Sequence, residues 1–160
     1  MKFFITTVAF FLICMCTIAQ TKLFKGSMFD VKYPTKFKIL NCPKPSSCDG
    51  ATFESPDKLV SFYVYSPQWN GLPDVDLKEN EKINNTKTTE KKDGDEVETV
   101  TIETTISAKN GSYTRSFIDV ENKKFNTRKT FSIKYKNLAA YNKYKIQFIA
   151  FKKSLVQYGD

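Results

Sequence analysis

The sequence predicts an α+β fold, with an antiparallel β-sheet flanked by helices and a C-terminal amphipathic helix packed on the sheet. Short alternations of apolar and polar residues, separated by turn residues, run from Phe29 to Lys136 and are typical of half-buried strands. From Leu138 the apolar spacing changes to three and four, which is typical of a helix with one apolar face. The 160 residues suit one domain with its own core.

Several segments have the composition of strands, and they are 29–33, 37–39, 50–54, 59–65, 97–108, 112–120 and 130–136. Leu59 to Tyr65 is apolar on both faces except at Ser61, so we expect it centrally in a sheet that is covered on two sides. Asn110-Gly111 is a strong hairpin signal, and Glu121-Asn122 predicts a second turn.

The middle of the chain is acidic and poor in apolar residues. Ten of the seventeen acidic residues lie within 74–103, whereas the C-terminal third is rich in lysine. Residues 84–95 contain no apolar side chain and predict a solvated loop that turns at Asp93-Gly94. A short helix is predicted over 74–83. The acidic segment is expected to complement the basic one within the fold.

The C-terminal helix has an aromatic stripe, formed by Tyr141, Tyr144, Phe148, Phe151, Leu155 and Tyr158. A stripe at this spacing usually packs on a sheet, although a lipid- or partner-binding face is the alternative. Asn137 is the predicted N-cap, and Gly159 is predicted to end the helix.

The first residues have the three-part layout of a secretory signal peptide. Lys2 precedes an apolar run from Phe3 to Ile18, and small residues lead up to Ala19. The run is shorter than the ~20 residues of a spanning helix, so we expect cleavage between Ala19 and Gln20 rather than an anchor. Residues 20–160 would then be a single secreted or periplasmic domain with no transmembrane segment.

Removal of residues 1–19 leaves two cysteines, Cys42 and Cys48, on either side of a turn-rich stretch. In an oxidising compartment such a pair predicts a disulfide. A redox or metal role is disfavoured because the spacing is not CxxC and the chain has no histidine.

The absence of histidine excludes catalytic relays, zinc sites and haem sites that depend on it in cis. No nucleotide-binding, nucleophile-elbow or metal motif is present, and we expect no cofactor. The acid pairs Asp74/Asp76 and Asp93/Asp95 resemble catalytic carboxylates in spacing, but their polar surroundings favour surface turns.

The net charge of +8 raises the question of polyanion binding. Only two of the 25 basic residues are arginine and no nucleic-acid motif occurs, so nucleic acid is excluded as the expected partner. Lys143, Lys152 and Lys153 form a candidate basic patch for weak contact with anionic surfaces. A purely solvated helix surface is the alternative.

Tyr63, Tyr65 and Trp69 form the candidate ligand surface, at the end of a strand and in the loop that follows. Aromatic side chains in such a place stack on a sugar or pack against a protein, so the expected partner is a protein or a glycan. The competing interpretation is that Trp69 folds down as a lid over the edge of the core.

Three segments together resemble the PsbP-like and Ran-binding Mog superfamily: FDVKYPTKFKIL (29–40), FYVYSP (62–67) and YNKYKIQFIAFKKSL (141–155). The resemblance implies an antiparallel sheet flanked by helices and an accessory or adaptor role. It carries over no functional residue, because no partner-contact motif matches. The cysteine loop and the acidic 74–103 segment depart from the family pattern.

Together these features predict an exported, non-catalytic binding or accessory module. The first alternative is an enzyme that uses carboxylates or a metal within residues 74–96. The second is a structural envelope protein whose basic third adheres to anionic surfaces.

Overall fold

The computed structural model describes residues 20–42, 44–71 and 77–158. The predicted signal peptide, the Asp74/Asp76 pair and Gly159 lie outside these residues, so their predictions stay as they are. Within the described ranges no helix is long and apolar enough to cross a membrane.

The described residues form ten strands, one α-helix and a short 3₁₀ turn at Pro45–Ser47. The strands are β1 (Thr21–Lys25), β2 (Phe29–Pro34), β3 (Lys38–Ile39), β4 (Gly50–Glu54), β5 (Val60–Tyr65), β6 (Glu81–Asp93), β7 (Glu96–Ala108), β8 (Thr114–Asn122), β9 (Thr127–Tyr135) and β10 (Val156–Gln157). The helix α1 spans Leu138–Lys153.

The strands build two sheets in which every pairing is antiparallel, as predicted. The larger sheet has the order β3-β4-β5-β9-β8-β7-β6, and the smaller has the order β1-β2-β10. Strand β5 therefore lies inside the larger sheet, as its apolar sequence indicates. The smaller sheet and α1 both contribute to the core on one face of the larger sheet.

Aromatic side chains fill this core. Phe62 of β5 is fully buried, and its ring centroid lies 5.1 Å from that of Phe148 and 5.4 Å from that of Phe151. Phe37 covers the same ring at 5.0 Å from the other side. The predicted stripe of α1 therefore packs on the sheet, and Tyr144 is buried with it. Each such ring removes ~150–250 Å² from water, so these contacts dominate the packing energy.

The ends of α1 are fixed by polar contacts. The Asn137 side chain accepts a hydrogen bond from the backbone N–H of Ala140 at 2.9 Å, which confirms the predicted N-cap. The helix ends at Lys153, earlier than predicted, because Ser154 caps it and the chain continues into β10 beside β2. Ser154 Oγ accepts a hydrogen bond from the backbone N–H of Lys32, which ties this end to the smaller sheet.

Three predictions are corrected by the structure. Helices do not flank the sheet on both sides, since α1 is the one α-helix in the described residues and leaves the opposite face of β5 uncovered by a helix. Residues 84–95 are not a loop but belong mainly to β6 and the turn at Gly94. The helix predicted over 74–83 is also wrong in its described part, because β6 begins at Glu81. The solvent exposure predicted for 84–95 is present.

The two hairpin turns predicted from glycine are present. Gly94 and Gly111 have φ values of +63° and +73°, a region that side chains rarely adopt. The third turn lies at Lys123–Asn126 rather than at Glu121-Asn122, and Asn126 has a φ of +48° there. Asparagine tolerates that conformation better than most residues.

Cys42 and Cys48 form the predicted disulfide. It closes the segment between β3 and β4, and Cys42 is buried against the core. In the chain-entropy account, closing so short a loop removes conformations mainly from the unfolded state.

Replacing both cysteines, as Cys42→Ser/Cys48→Ser, is expected to lower the free energy of unfolding by about 2 kcal/mol. Urea unfolding followed by tryptophan fluorescence measures the difference. The double variant should be insensitive to reductant, whereas the wild type should lose a similar amount when it is reduced. Equal urea midpoints for the double variant and the oxidised wild type would contradict a stabilising role of the disulfide.

Candidate ligand-binding face

The face of the larger sheet opposite α1 carries an open cleft of about 720 Å³. Strand register fixes which side chains share this face, since residues paired directly across strands point the same way. One row runs Glu54, Ser61, Lys134, Arg115 and Ile106, and the next runs Thr52, Tyr63, Ser132, Phe117 and Thr104. The face is therefore a mixture of cationic, hydroxyl and aromatic groups over a sheet floor.

A buried ion pair closes one end of the cleft. Glu81, at the start of β6, is 4% exposed and forms an ion pair with Arg115 of β8. It also accepts hydrogen bonds from the Tyr113 hydroxyl at 2.6 Å and from the backbone N–H of Lys78 at 2.9 Å. Burial alone would raise the pKa of Glu81, but these hydrogen bonds outweigh it and lower the pKa to about 2.

Lys134 is the central cation of the cleft. Its cross-strand neighbours are Ser61 on β5 and Arg115 on β8, so two positive side chains stand directly opposite each other. Its ammonium lies 3.9 Å from the centroid of the Tyr113 ring, in a cation–π contact. Lys134 is exposed to solvent, but neighbouring atoms partly desolvate its ammonium and lower its pKa, and repulsion from Lys78 and Arg115 lowers it further.

Tyr63 and Tyr65 also lie on this face, as alternate residues of β5. Tyr63 lines the cleft, and both side chains are half-buried. Gly50 of β4 lies beneath them, where an added Cβ would come within 2.9 Å of the Val64 carbonyl oxygen and 3.2 Å of the Tyr63 hydroxyl. Glycine at position 50 therefore lets this tyrosine lie close to the sheet. Since α1 packs on the other face, no helix of the described residues covers these two tyrosines.

Trp69 does not act as a lid over the core: it is 59% exposed. Phe125, in the β8–β9 turn, is 66% exposed. Each aromatic residue precedes an asparagine, and the backbone N–H of Asn70 donates to the carbonyl of Asn126 at 2.9 Å. The two exposed rings thus belong to neighbouring loops at one end of the sheet. The structure places the loop that carries Trp69 next to the β8–β9 turn that carries Phe125.

A buried polar network holds these loops in place. Arg128, which is 8% exposed, pairs with Asp119 at 2.9 Å and with Glu121 at 3.2 Å. The Arg128 Nε donates to the Asn70 side-chain oxygen at 2.9 Å, and the Asn70 amide donates to Glu121 at 2.8 Å. Burial raises the pKa of Asp119, although hydrogen bonding from Thr130 and the charge of Arg128 oppose this rise.

The candidate basic patch does not form one surface. Lys143 and Lys152 are nine residues apart, which at ~100° per residue places them on opposite sides of α1. Lys143 forms an ion pair with Asp57 at 2.8 Å, next to the Tyr144 hydroxyl bond to the same carboxylate. The Lys152 ammonium lies 5.3 Å from the centroid of the Phe148 ring, and burial lowers its pKa. Only Lys153 of the three is exposed without a described ion pair.

The acidic and basic segments meet in space, as expected. Glu81–Arg115 joins them within the cleft, and Asp93–Lys124 joins them at 3.9 Å on the surface. Across residues 20–42, 44–71 and 77–158, no group of three or more Cys, Asp or Glu side chains is placed to hold a metal ion. Asp93 and Asp95 lie on either side of an exposed hairpin turn, as predicted.

Sequence reasoning missed Glu81, Arg115, Lys134, Phe125 and Arg128 as members of this face. Alternation along β8 and β9 places Arg115 and Lys134 on one face, and this part was available from the sequence. Their contact depends on the register of the hairpin, which the turn at 123–126 fixes. Phe125 and Arg128 lie in or next to that turn, whose sequence has no glycine or proline to mark it.

Fold and face together define an antiparallel sheet module with a single C-terminal helix and an open polar face. Among solved structures, the chain is similar to the cyanobacterial PsbP (CyanoP) of Synechocystis sp., with a TM-score of 0.51, 13% identity, and coverage of 90% of this chain and 96% of that one. This similarity shows a PsbP-like fold, in agreement with the resemblance of the three sequence segments.

The Ran-binding protein Mog1p of Saccharomyces cerevisiae also aligns, with a TM-score of 0.45 and 11% identity over 88% of this chain and 97% of that one. No family model matches the sequence, and no curated protein matches it. The comparisons therefore concern the fold.

The Glu81 site predicts a specific acid sensitivity. Because folding lowers the pKa of Glu81 from its ordinary 4.5 to about 2, its contribution to stability is present above pH 4.5 and is lost as the pH falls towards 2. Glu81→Gln is expected to cost about 2 kcal/mol at neutral pH and to flatten this acid decline. Urea midpoints measured between pH 6 and 2.5 test the expectation.

Glu90→Gln, at an exposed position on the same strand, is the matched control and should decline with acid as the wild type does. A parallel decline in Glu81→Gln and the wild type would show that this carboxylate is not the sensitive group.

Proposed function

We propose that this chain is an exported, non-catalytic accessory module that binds a protein partner through the exposed Trp69 and Phe125 side chains. The observation that carries the proposal is the exposure of Trp69 on a loop anchored by a buried ion network. Tryptophan is among the residues most enriched at the energetic centres of protein interfaces. Two exposed aromatic rings on neighbouring loops offer a partner an apolar anchor.

The anchoring favours binding because it reduces the entropy lost on association. The Asn70 side chain is held by Arg128 and Glu121, and its backbone is held by Asn126, so the loop that carries Trp69 is already ordered. Arg128 is in turn fixed by Asp119, which also accepts from the Thr130 hydroxyl at 2.7 Å. Such a scaffold is expected where a loop presents a fixed contact residue.

Two features support the accessory role and export. The PsbP-like fold is similar to that of a protein named as a cyanobacterial PsbP, although fold by itself does not determine function. The Cys42–Cys48 disulfide favours an oxidising compartment, which agrees with the signal-like residues 1–19. No observation favours the enzyme alternative. The separation of Lys143 from Lys152 weakens the adhesion alternative.

Export predicts a defined mature protein. Produced from residues 1–160 in a Gram-negative host, the chain is expected outside the cytoplasm, beginning at Gln20 and with Cys42 and Cys48 joined. Intact mass spectrometry after thiol alkylation measures both properties. A chain without residues 2–19 is the control and should remain cytoplasmic and reduced. Recovery of the whole chain with residues 1–19 attached would contradict cleavage.

The partner surface predicts a localised loss of binding. A photoreactive residue at position 69 should crosslink to a partner in the native exported fraction. With that partner purified, Trp69→Ala is expected to weaken binding by roughly 2 kcal/mol, or about thirtyfold in Kd. Because Trp69 is exposed, the variant should keep its unfolding midpoint.

Ile146→Ala is the matched control, since Ile146 is 79% exposed on α1 and lies outside the Trp69 loop. It should bind as the wild type does. Crosslinking to a glycan instead of a protein, or an equal loss of affinity in the two variants, would overturn the assignment. A large loss of stability in Trp69→Ala would show that the ring has a packing role.

A further inference from the structure

The open cleft carries an excess of positive charge. Its cationic side chains outnumber its two carboxylates, Glu54 and Glu81, and they are Lys58, Lys78, Arg115, Lys134 and Lys136. Glu81 is already bound to Arg115, so it leaves little charge for the remaining lysines. The cleft is separate from the Trp69 surface, because neither Trp69 nor Phe125 lines it.

Among the cleft lysines, Lys134 is the one that stands directly across a strand pair from a second cation, Arg115. Among the described residues no carboxylate lies within 4.0 Å of its ammonium, although it projects from a central strand. Arg115 stands opposite it across the strand pair, and like charges in that arrangement destabilise a sheet. The direction of its pKa shift agrees with an uncompensated charge.

The like-charge pairing of Lys134 and Arg115 lowers the stability of the free protein, and a bound anion would offset this cost. Uncompensated charge and strain of this kind concentrate at functional sites, where bound groups supply the missing interaction. An anion beside Lys134 would relieve its repulsion from Lys78 and Arg115. The contact would be partly desolvated by the cleft walls, which strengthens a charged hydrogen bond relative to one in open water.

The remaining lining groups indicate what accompanies the anion. Ser61 lies in the row of Lys134, and Thr52 and Ser132 lie in the next row, on either side of the half-buried Tyr63. These groups match a hydroxylated ligand with a carbon-bearing face, because hydroxyls exchange hydrogen bonds and aromatic rings pack against C–H groups. Glu54 lies in the same row as Lys134 with Ser61 between them, so it disfavours a second negative group at that end of the cleft.

We propose that this cleft binds a small hydroxylated monocarboxylate, of the sugar-acid class, with its carboxylate at Lys134. Ser61, which is partly exposed, is placed to bond the hydroxyls of this ligand, and Tyr63 and the buried Ser132 form the floor. The site is separate from the proposed partner surface, so an experiment that rules out one of the two proposals does not rule out the other.

The test uses the full chain and D-glucuronate as the probe, with D-glucose as its neutral counterpart. Isothermal calorimetry and backbone NMR shifts measure affinity and location. Glucuronate should bind at least roughly tenfold more tightly than glucose, and Lys134→Gln should remove about that factor. The shifts should centre on β5, β8 and β9 on the cleft face.

Lys129→Gln is the matched control, because Lys129 lies on the same strand but pairs with Val120 on the opposite face. It removes the same charge and should keep glucuronate binding. Lys134→Gln should also raise the Tm of the free protein by relieving repulsion from Arg115, while losing the further rise that glucuronate gives the wild type. If Lys134 had only a structural role, its replacement would not both raise the Tm of the free protein and remove the further rise given by glucuronate.

The proposal is overturned if the wild type does not bind glucuronate, if glucose binds equally well, or if Lys129→Gln loses as much affinity as Lys134→Gln. Tighter binding of inorganic phosphate than of glucuronate would overturn the carboxylate assignment. Trp69→Ala should bind glucuronate normally, which separates this site from the partner surface.

Discussion

The Phe62 ring and the side chains of α1 that cover it are the constraint on which the rest of the structure depends. A single 16-residue helix spans roughly 24 Å at 1.5 Å per residue, which covers only a few strands of a seven-stranded sheet. Phe148 and Phe151 place it over β5 and β9, beside the smaller sheet. One face of the larger sheet is therefore the core, and no helix within the described ranges covers the other.

That open face is stabilised by polar pairs in addition to the apolar packing of Ile106 and Phe117, which are buried on it. Asp119 and Thr130 are nearly inaccessible there, yet each has a hydrogen-bonding partner on this face, so little burial cost remains uncompensated. Glu81 is satisfied in the same way. Lys134 differs because its nearest cross-strand charge has the same sign. One end of this face therefore carries an ion network with its hydrogen bonds formed, whereas the other end carries a lysine that stands opposite another cation.

Local sequence signals predicted much of the fold, including the two-residue strand β3, but they could not give the register or the strands β1 and β10. β4, the Asn110-Gly111 hairpin, the Asn137 cap and the cysteine pair each depend on neighbours in sequence. β6 escaped prediction because all its side chains beyond Glu81 are exposed and show no apolar alternation. A turn at 121–122 would also set Arg115 opposite Arg128, whereas the actual turn sets it opposite Lys134. That shift is even, so it preserves the face but changes the neighbours.

The net charge of +8 is unevenly distributed over the chain, because the hairpin β6–β7 is acidic. Its acids are separated from the basic third in sequence, but pairing of β7 with β8 brings them together in space. Most of them lie on exposed positions of β6 and β7, where salt screens their effect beyond about 10 Å. Only Glu81 of the hairpin lines the cleft, and Arg115 engages it. The positive potential at Lys134 therefore follows from strand register rather than from the overall excess of lysine, and a change of net charge elsewhere on the surface would leave it largely intact.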